Sequence, residues 1–203
     1  MTNNMLLRFL LFFLFLNLSE TYSQENSALP RNYEVLKTFS APTIDGRIRS
    51  KEWKSAKWTE YFSDISTTVE PLQKTRVKML WDDQFLYIAA KLKETDLWAT
   101  LKNHDDIIFK DNDFEVFIDP NNDATNYFEI EINAFGTVMD LFMHKTYKRE
   151  GPMDMGWNTI GMRSAVFCKG TLNESADRDK FWSIEMAIPY ACLQRPGRKY
   201  LPK

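Results

Sequence analysis

The stretch NYFEIEIN, residues 126–133, alternates without a break. Phe128, Ile130 and Ile132 fall on one face, and Glu129, Glu131 and Asn133 on the other. That is the period of two expected of a half-buried strand. The preceding DFEVFID, residues 113–119, sets Phe114, Val116 and Ile118 against Glu115 and Phe117 in the same way. Upstream, RVKMLW (76–81) places Val77, Met79 and Trp81 opposite Arg76 and Lys78. DDQ then supplies a turn, and FLYIAAKL returns as the second arm of a hairpin. TVMDLFM follows Gly136, a turn or bulge signal, and RSAVFC comes later. FWSIEMAIP is the last strand, with Trp182, Ile184, Met186 and Ile188 on one face. SKEWKSA (50–56) is the one helical segment expected, with Ser50 as its cap and Trp53 docked on a sheet. Many short half-buried strands predict an all-β antiparallel β-sandwich with immunoglobulin-like or jelly-roll-like layers and one short N-terminal helix.

The chain opens with Arg8 followed by an apolar run from Phe9 to Leu16, then the polar SETYSQEN. This is the layout of a cleaved secretory signal over residues 1–23. The run is shorter than the roughly 20 residues that span a bilayer. Residues 24–32 read as a polar tether and 33–203 as one domain, with no membrane span once the signal is removed. The formal charge of -2 leaves no basic excess for nucleic acid, and a monomer is expected. Cys168 and Cys192 are the two cysteines, and their spacing leaves pairing open. The end, PYACLQRPGRKYLPK (189–203), offers no further apolar strand, so final strands are expected to be missing.

Four segments in order carry a resemblance: PTIDGRIRSKEWKSA (42–56), VKMLWDDQFLYIAAKLKE (77–94), IIFKDNDFEVFIDPNND with NYFEIEINAFGTVMDL (107–141), and FWSIEMAIPY (181–190). Together they resemble carbohydrate-binding module family 9 and its exported relatives. The resemblance implies a sandwich that binds an oligo- or polysaccharide without cleaving it, in a setting of glycan catabolism in the periplasm or outside the cell. It implies two aromatic rings clamping a terminal sugar, carboxylates and amides on its hydroxyls, and calcium bracing nearby loops. Matched by motif, the first ring falls on Phe109, and the polar contacts on Glu115, Glu131 and Asn133. The family often has arginine where this chain has Glu131. The second ring lies beyond the end of this chain, and Trp157, in GPMDMGWNT, is the candidate replacement.

The residues themselves agree in part. Small-ligand sites combine aromatic walls with a few placed polar groups, and the bland alternatives are a solvated strand face for Glu131 and Asn133 and core packing for Phe109 and Trp157. Only Glu115 is expected as a direct ligand contact. Asp111, Asp119, Asn121 and Asp123 are the calcium candidates, competing with ordinary turn chemistry because the twelve-residue calcium loop is absent. Zinc is not expected, since His104 and His144 have no partner at ligand spacing. Two readings of other classes remain. A related sandwich type binds haem b, and VMDLFMHK offers Met139, Met143, His144 and Lys145; here Met139, Leu141 and Met143 are expected instead as a core-facing stripe, with no haem. Glu115 and Glu131 on neighbouring strands could make a glycosidase pair, but no surroundings that raise one pKa are visible, so no enzyme is expected.

Overall fold

Each alternating stretch becomes a strand in the computed structural model, which describes residues 31–64 and 70–194. The expected signal segment 1–23, most of the tether and the chain end from 195 lie outside the described residues. The strands are β1 (Leu36–Lys37), β2 (Thr75–Trp81), β3 (Phe85–Lys93), β4 (Asp113–Ile118), β5 (Thr125–Asn133), β6 (Val138–Lys145), β7 (Met153–Asp154), β8 (Arg163–Lys169) and β9 (Phe181–Pro189). They form a five-stranded sheet, β1-β2-β3-β9-β8, and a four-stranded sheet, β4-β5-β6-β7. All pairs are antiparallel except β1 with β2, which is parallel. The two sheets make the expected sandwich. Among the described residues no helix is long and apolar enough to cross a membrane.

Register follows the apolar face. Phe114 pairs with Ile132 and Val116 with Ile130, so large side chains of β4 and β5 point together into the core. They meet Val77, Ile88, Ala90 and Leu92 of β2 and β3 and Trp182, Ile184, Met186 and Ile188 of β9. A slip of one residue would turn every one of them to the opposite face.

The outer faces are not left to water. On the five-stranded sheet, Trp53, Ala56, Leu80, Tyr87, Ala89 and Ala187 form a second apolar cluster. Lys78, on the face opposite Val77 and Met79, is buried there, its Nζ donating to the Trp53 carbonyl at 2.8 Å. Glu185 is fully buried on the same face and accepts from Trp53 Nε1 at 2.6 Å and from the Asp45 amide at 2.9 Å. Both contacts tie the segment around residues 44–56 to β9. The expected helix is a single 3-10 turn, Lys51–Lys54, because the Ser50 hydroxyl bonds the Glu52 carboxylate and gives the turn no backbone cap. Trp53 docks on the sheet as expected.

A third cluster covers the four-stranded sheet. Ile108 lies against Tyr127, Met139, Leu141 and Met143, with Leu101 and Met155 around them. This corrects the methionine stripe: Met139, Leu141 and Met143 pair with Glu131, Glu129 and Tyr127, so they face outward and are buried under a cover. Alternation assigns a side of the strand but not what lies over it.

Candidate functional site

The outer face of β4 and β5 gathers most of the polar chemistry that the sequence singles out. Cross-strand pairing sets Asp113 beside Asn133, Glu115 beside Glu131 and Phe117 beside Glu129. Directly opposed residues share a face, so three carboxyl-bearing β4 and β5 positions crowd around Glu131.

Their surroundings differ. Glu115 is exposed, as expected of a ligand contact. Glu131 and Asn133 lie on the expected side, but they are not on an open surface: both are fully buried, Asn133 beneath the segment 101–111. Asn133 Nδ2 donates to Leu101 O and to Asp111 Oδ2, both at 2.9 Å, while its Oδ1 accepts from the amides of Phe135 and Thr137. The whole amide is engaged in holding the cover, so Asn133 points outward as expected but is not open to a ligand. Apolar residues within an otherwise polar loop, Leu101 and Ile108, are the sequence signal that such a cover must dock somewhere.

Burial raises the carboxyls. Desolvation, with the negative charges of Glu115, Asp111 and Glu129 behind it, pushes Asp113 up to about 7. Glu131 is held well above the ordinary carboxylate range by desolvation first, then by Asp113, Glu115 and its neighbour Glu129. Glu129 is raised by desolvation, although Tyr147 Oη donates to both its oxygens at 2.9 and 2.8 Å. Perturbed acid surroundings, which the sequence does not reveal, are therefore present.

Exposed aromatic rings lie on and around these strands. Phe109 is 59% exposed, on a 3-10 turn (Ile108–Lys110) whose Ile108 is anchored in the third cluster. Phe117 is also exposed and meets Tyr127 edge-on, with centroids 6.1 Å apart. Tyr147 is exposed and tethered to Glu129. Phe117 and Tyr147 are rings that sequence reasoning leaves out of the site. Trp157 is not among them. It stacks on Phe128 at 4.7 Å, and Phe128 points into the core, so the indole packs at the opposite side of β5 from Glu115.

The four calcium candidates do not converge. Asp111 stands before β4 and Asp119 after it, a separation of roughly 25 Å along an extended strand. Asp111 accepts from the Thr100 amide and hydroxyl, the Leu101 amide and Asn133, and its carboxyl is lowered accordingly despite desolvation. Asp119 accepts from the amides of Asn122 and Ala124; Asp123 accepts from Thr125 and from Asn121. Each carboxylate oxygen already faces a protein donor, so this set fits turn construction rather than a cation. Folding does bring His104 beside Asp105 at 2.9 Å and Asp140 at 3.4 Å, a grouping that spacing hides. Met143 and His144 fall on opposite faces of β6, with His144 and Lys145 exposed and both methionines buried. Cys168 and Cys192 are separate thiols; Cys192 donates to Pro189 O at 2.9 Å, and burial pushes it up to about 12.

Comparison with known proteins gives one family match, a carbohydrate family 9 binding domain-like model over residues 44–197. The chain is 32% identical over 91 residues to an endo-1,4-beta-xylanase C of Paenibacillus barcinonensis, covering 45% of this chain and 8% of that one. It is 25% identical over 166 residues to an endo-1,4-beta-xylanase A of Thermoanaerobacterium saccharolyticum, 76% of this chain and 11% of the other. An exoglucanase of Acetivibrio thermocellus is 28% identical over 76% of this chain and 12% of its own length. The chain thus spans about a tenth of the length of these relatives. Among solved structures, a candidate carbohydrate-binding protein from Bacteroides uniformis ATCC 8492 superposes with a TM-score of 0.57 at 14% identity, over 80% of this chain and 75% of that one. A family 9 carbohydrate-binding module from Caldicellulosiruptor kristjanssonii, solved with glucose, gives 0.50 at 16% identity, over 80% and 70%. These two likenesses support the fold.

Proposed function

Because the chain belongs to the carbohydrate family 9 binding domain-like family, we propose that it binds a saccharide non-catalytically, in an exported protein associated with glycan breakdown. The observation that carries this reading is the outer face of β4 and β5, where the exposed ring of Phe117 shares a strand face with the exposed carboxylate of Glu115. Phe109 and Phe117 offer flat apolar surfaces to the C–H side of a sugar ring. Glu115, between them in the chain, accepts hydrogen bonds from vicinal hydroxyls, and a charged acceptor makes the stronger bonds. Glu131 lies beside Glu115 on the neighbouring strand, while Asn133 supports the site by pinning the cover. The solved family 9 module from C. kristjanssonii holds glucose, and several curated relatives are xylanases; both point to β-linked plant polysaccharides as the ligand class. The secretory layout of residues 1–23 supports an exported protein, in the periplasm or outside the cell.

A glycosidase reading draws on the close approach of Glu115 and Glu131, whose carboxylate oxygens come within 4.8 Å. Retaining enzymes hold two carboxyls about 5 Å apart on either side of the scissile bond. Here the two stand side by side on adjacent strands of one sheet, and Glu131, 1% exposed, cannot reach a glycosidic oxygen. Calorimetric titration with soluble cello- and xylo-oligosaccharides is expected to show saturable binding of at least one series, with no release of reducing sugar on prolonged incubation. No binding across the panel would refute the reading, and turnover would convert it to an enzyme.

A further inference from the structure

On the outer face of the five-stranded sheet, the apolar cluster under Trp53 occupies the positions of Leu80, Tyr87 and Ala89. The rows beyond it are charged. Cross-strand pairing sets Arg76 of β2 beside Lys91 of β3, Lys91 beside Ser183 of β9, and Ser183 beside Phe167 of β8. The next row carries Lys93, Phe181 and Lys169 on β3, β9 and β8. Paired positions share a face, and every second residue of a strand returns to it. Four cations therefore stand together at one end of this face. A fifth, Arg47, comes from the covering segment and lies over the Phe167 ring at 3.9 Å.

Little balances them. The only acid at a paired position of this face is Glu185, which is buried and held by Trp53 and the Asp45 amide. None of the five cations makes an ion pair among the described residues. Arg76 and Lys91 are like charges directly opposite each other, an arrangement that destabilises a sheet. Burial, then the charges of Arg76 and Lys169, hold Lys91 below the ordinary lysine range, so the three are within electrostatic reach of one another. Rings keep the cations in place: Lys91 Nζ lies 4.0 Å over Phe181, and Arg76 Cζ 4.5 Å over Trp58. On a chain whose formal net charge is -2, this segregation of positive charge gathers anions to one face.

The same rings narrow the class of anion. Single-stranded nucleic acid uses open ring faces for base stacking, whereas Phe167, Phe181 and Trp58 already carry Arg47, Lys91 and Arg76. A membrane surface takes up apolar side chains, and Phe167 and Phe181 are half-buried among cations. A carboxylated polysaccharide needs neither. Its spaced carboxylates match spaced cations, and the forked guanidinium groups of Arg47 and Arg76 suit carboxylate oxygens.

We propose that Arg47, Arg76, Lys91, Lys93 and Lys169 form a binding surface for a polysaccharide bearing carboxylates. It lies on the other sheet from Phe109 and Glu115, so it neither requires nor replaces the site described above.

The test is calorimetric titration of the full chain with sodium oligogalacturonate at low salt. Saturable binding is expected in the wild type, and its loss in about 1 M sodium chloride, where charges beyond about 3 Å are screened. The double variant Arg76→Gln/Lys91→Gln should weaken binding at least tenfold. Lys93→Gln/Lys169→Gln changes two exposed positions, should weaken it at least threefold, and decides the matter if circular dichroism shows the first variant unfolded. Lys145→Gln, on the other sheet, should leave it unchanged. Both double variants should match the wild type in titrations with neutral cello- and xylo-oligosaccharides. No binding of oligogalacturonate by the wild type, or binding indifferent to the folded double variants, would overturn the proposal. So would equal affinity for a single-stranded oligonucleotide of the same charge.

Discussion

Gly46→Ala is expected to destabilise the fold by about 3 kcal/mol and lower the melting temperature by roughly 10 °C. Gly46 follows Asp45 at the turn that starts the cover of the five-stranded sheet, with φ at +77°. A Cβ built there would lie 2.6 Å from the Val166 carbonyl carbon, 2.7 Å from the Phe167 amide nitrogen and 3.0 Å from the Ala165 oxygen. All three are backbone atoms of β8, which cannot swing aside as a side-chain tip can. The alanine would also occupy a left-handed conformation that disfavours L residues. Moving the turn away would strain the bond from Ser183 Oγ to Gly46 O, 2.6 Å long and buried. Gly136→Ala is the control: its φ is +85°, but its Cβ would meet only Val166 Cγ2, at 3.7 Å. It should cost about 1 kcal/mol, the conformational part alone. Equal melting temperatures for the two variants would refute this account of the turn.

Glu185→Ala should be at least as damaging, at about 3–5 kcal/mol. Its carboxylate is fully buried yet has two good donors, the Trp53 indole and the Asp45 amide. Removing it strands both in an apolar setting, and each buried unsatisfied donor costs about 1–3 kcal/mol. Truncation also leaves a void under Trp53. Lys78, lowered by its own desolvation and supported by the Glu185 charge, loses that support as well. Glu185→Gln retains one acceptor and should recover part of the loss, which separates hydrogen bonding from simple cavity formation. Chemical denaturation with near-ultraviolet circular dichroism follows both stability and the Trp53 environment. A Glu185→Ala protein as stable as wild type would show that the cover is held by apolar packing alone.

What the sequence makes legible is the pleat. Alternation in NYFEIEIN and DFEVFID assigns Phe114, Ile130 and Ile132 to the core and Glu115 to the opposite side, and cross-strand pairing bears this out. What it leaves dark is whether a second layer of chain lies over the outward side. Glu131, Asn133 and Lys78 all point outward, and all are buried by segments distant in sequence. The signal of those covers is weak: isolated apolar residues such as Ile108 or Trp53 within polar surroundings. Trp157 shows the converse limit, since nothing in GPMDMGWNT indicates that its ring stacks on Phe128. Asp119 and Asp123 are turn acids because their carboxylates close onto local amides, a distinction from a cation site that composition does not draw.

The central claim is that a sugar binds on the outer face of β4 and β5, and Phe109 tests it most directly. Its ring is exposed, so Phe109→Ala should leave the melting temperature as it is. A stacking aromatic ring contributes about 0.5–1.5 kcal/mol beyond its area burial, and truncation loses the buried area as well. Calorimetric titration of Phe109→Ala with the best-bound oligosaccharide should therefore show affinity about tenfold or more below wild type. A variant that binds that oligosaccharide as tightly as the wild type would contradict the placement of the site.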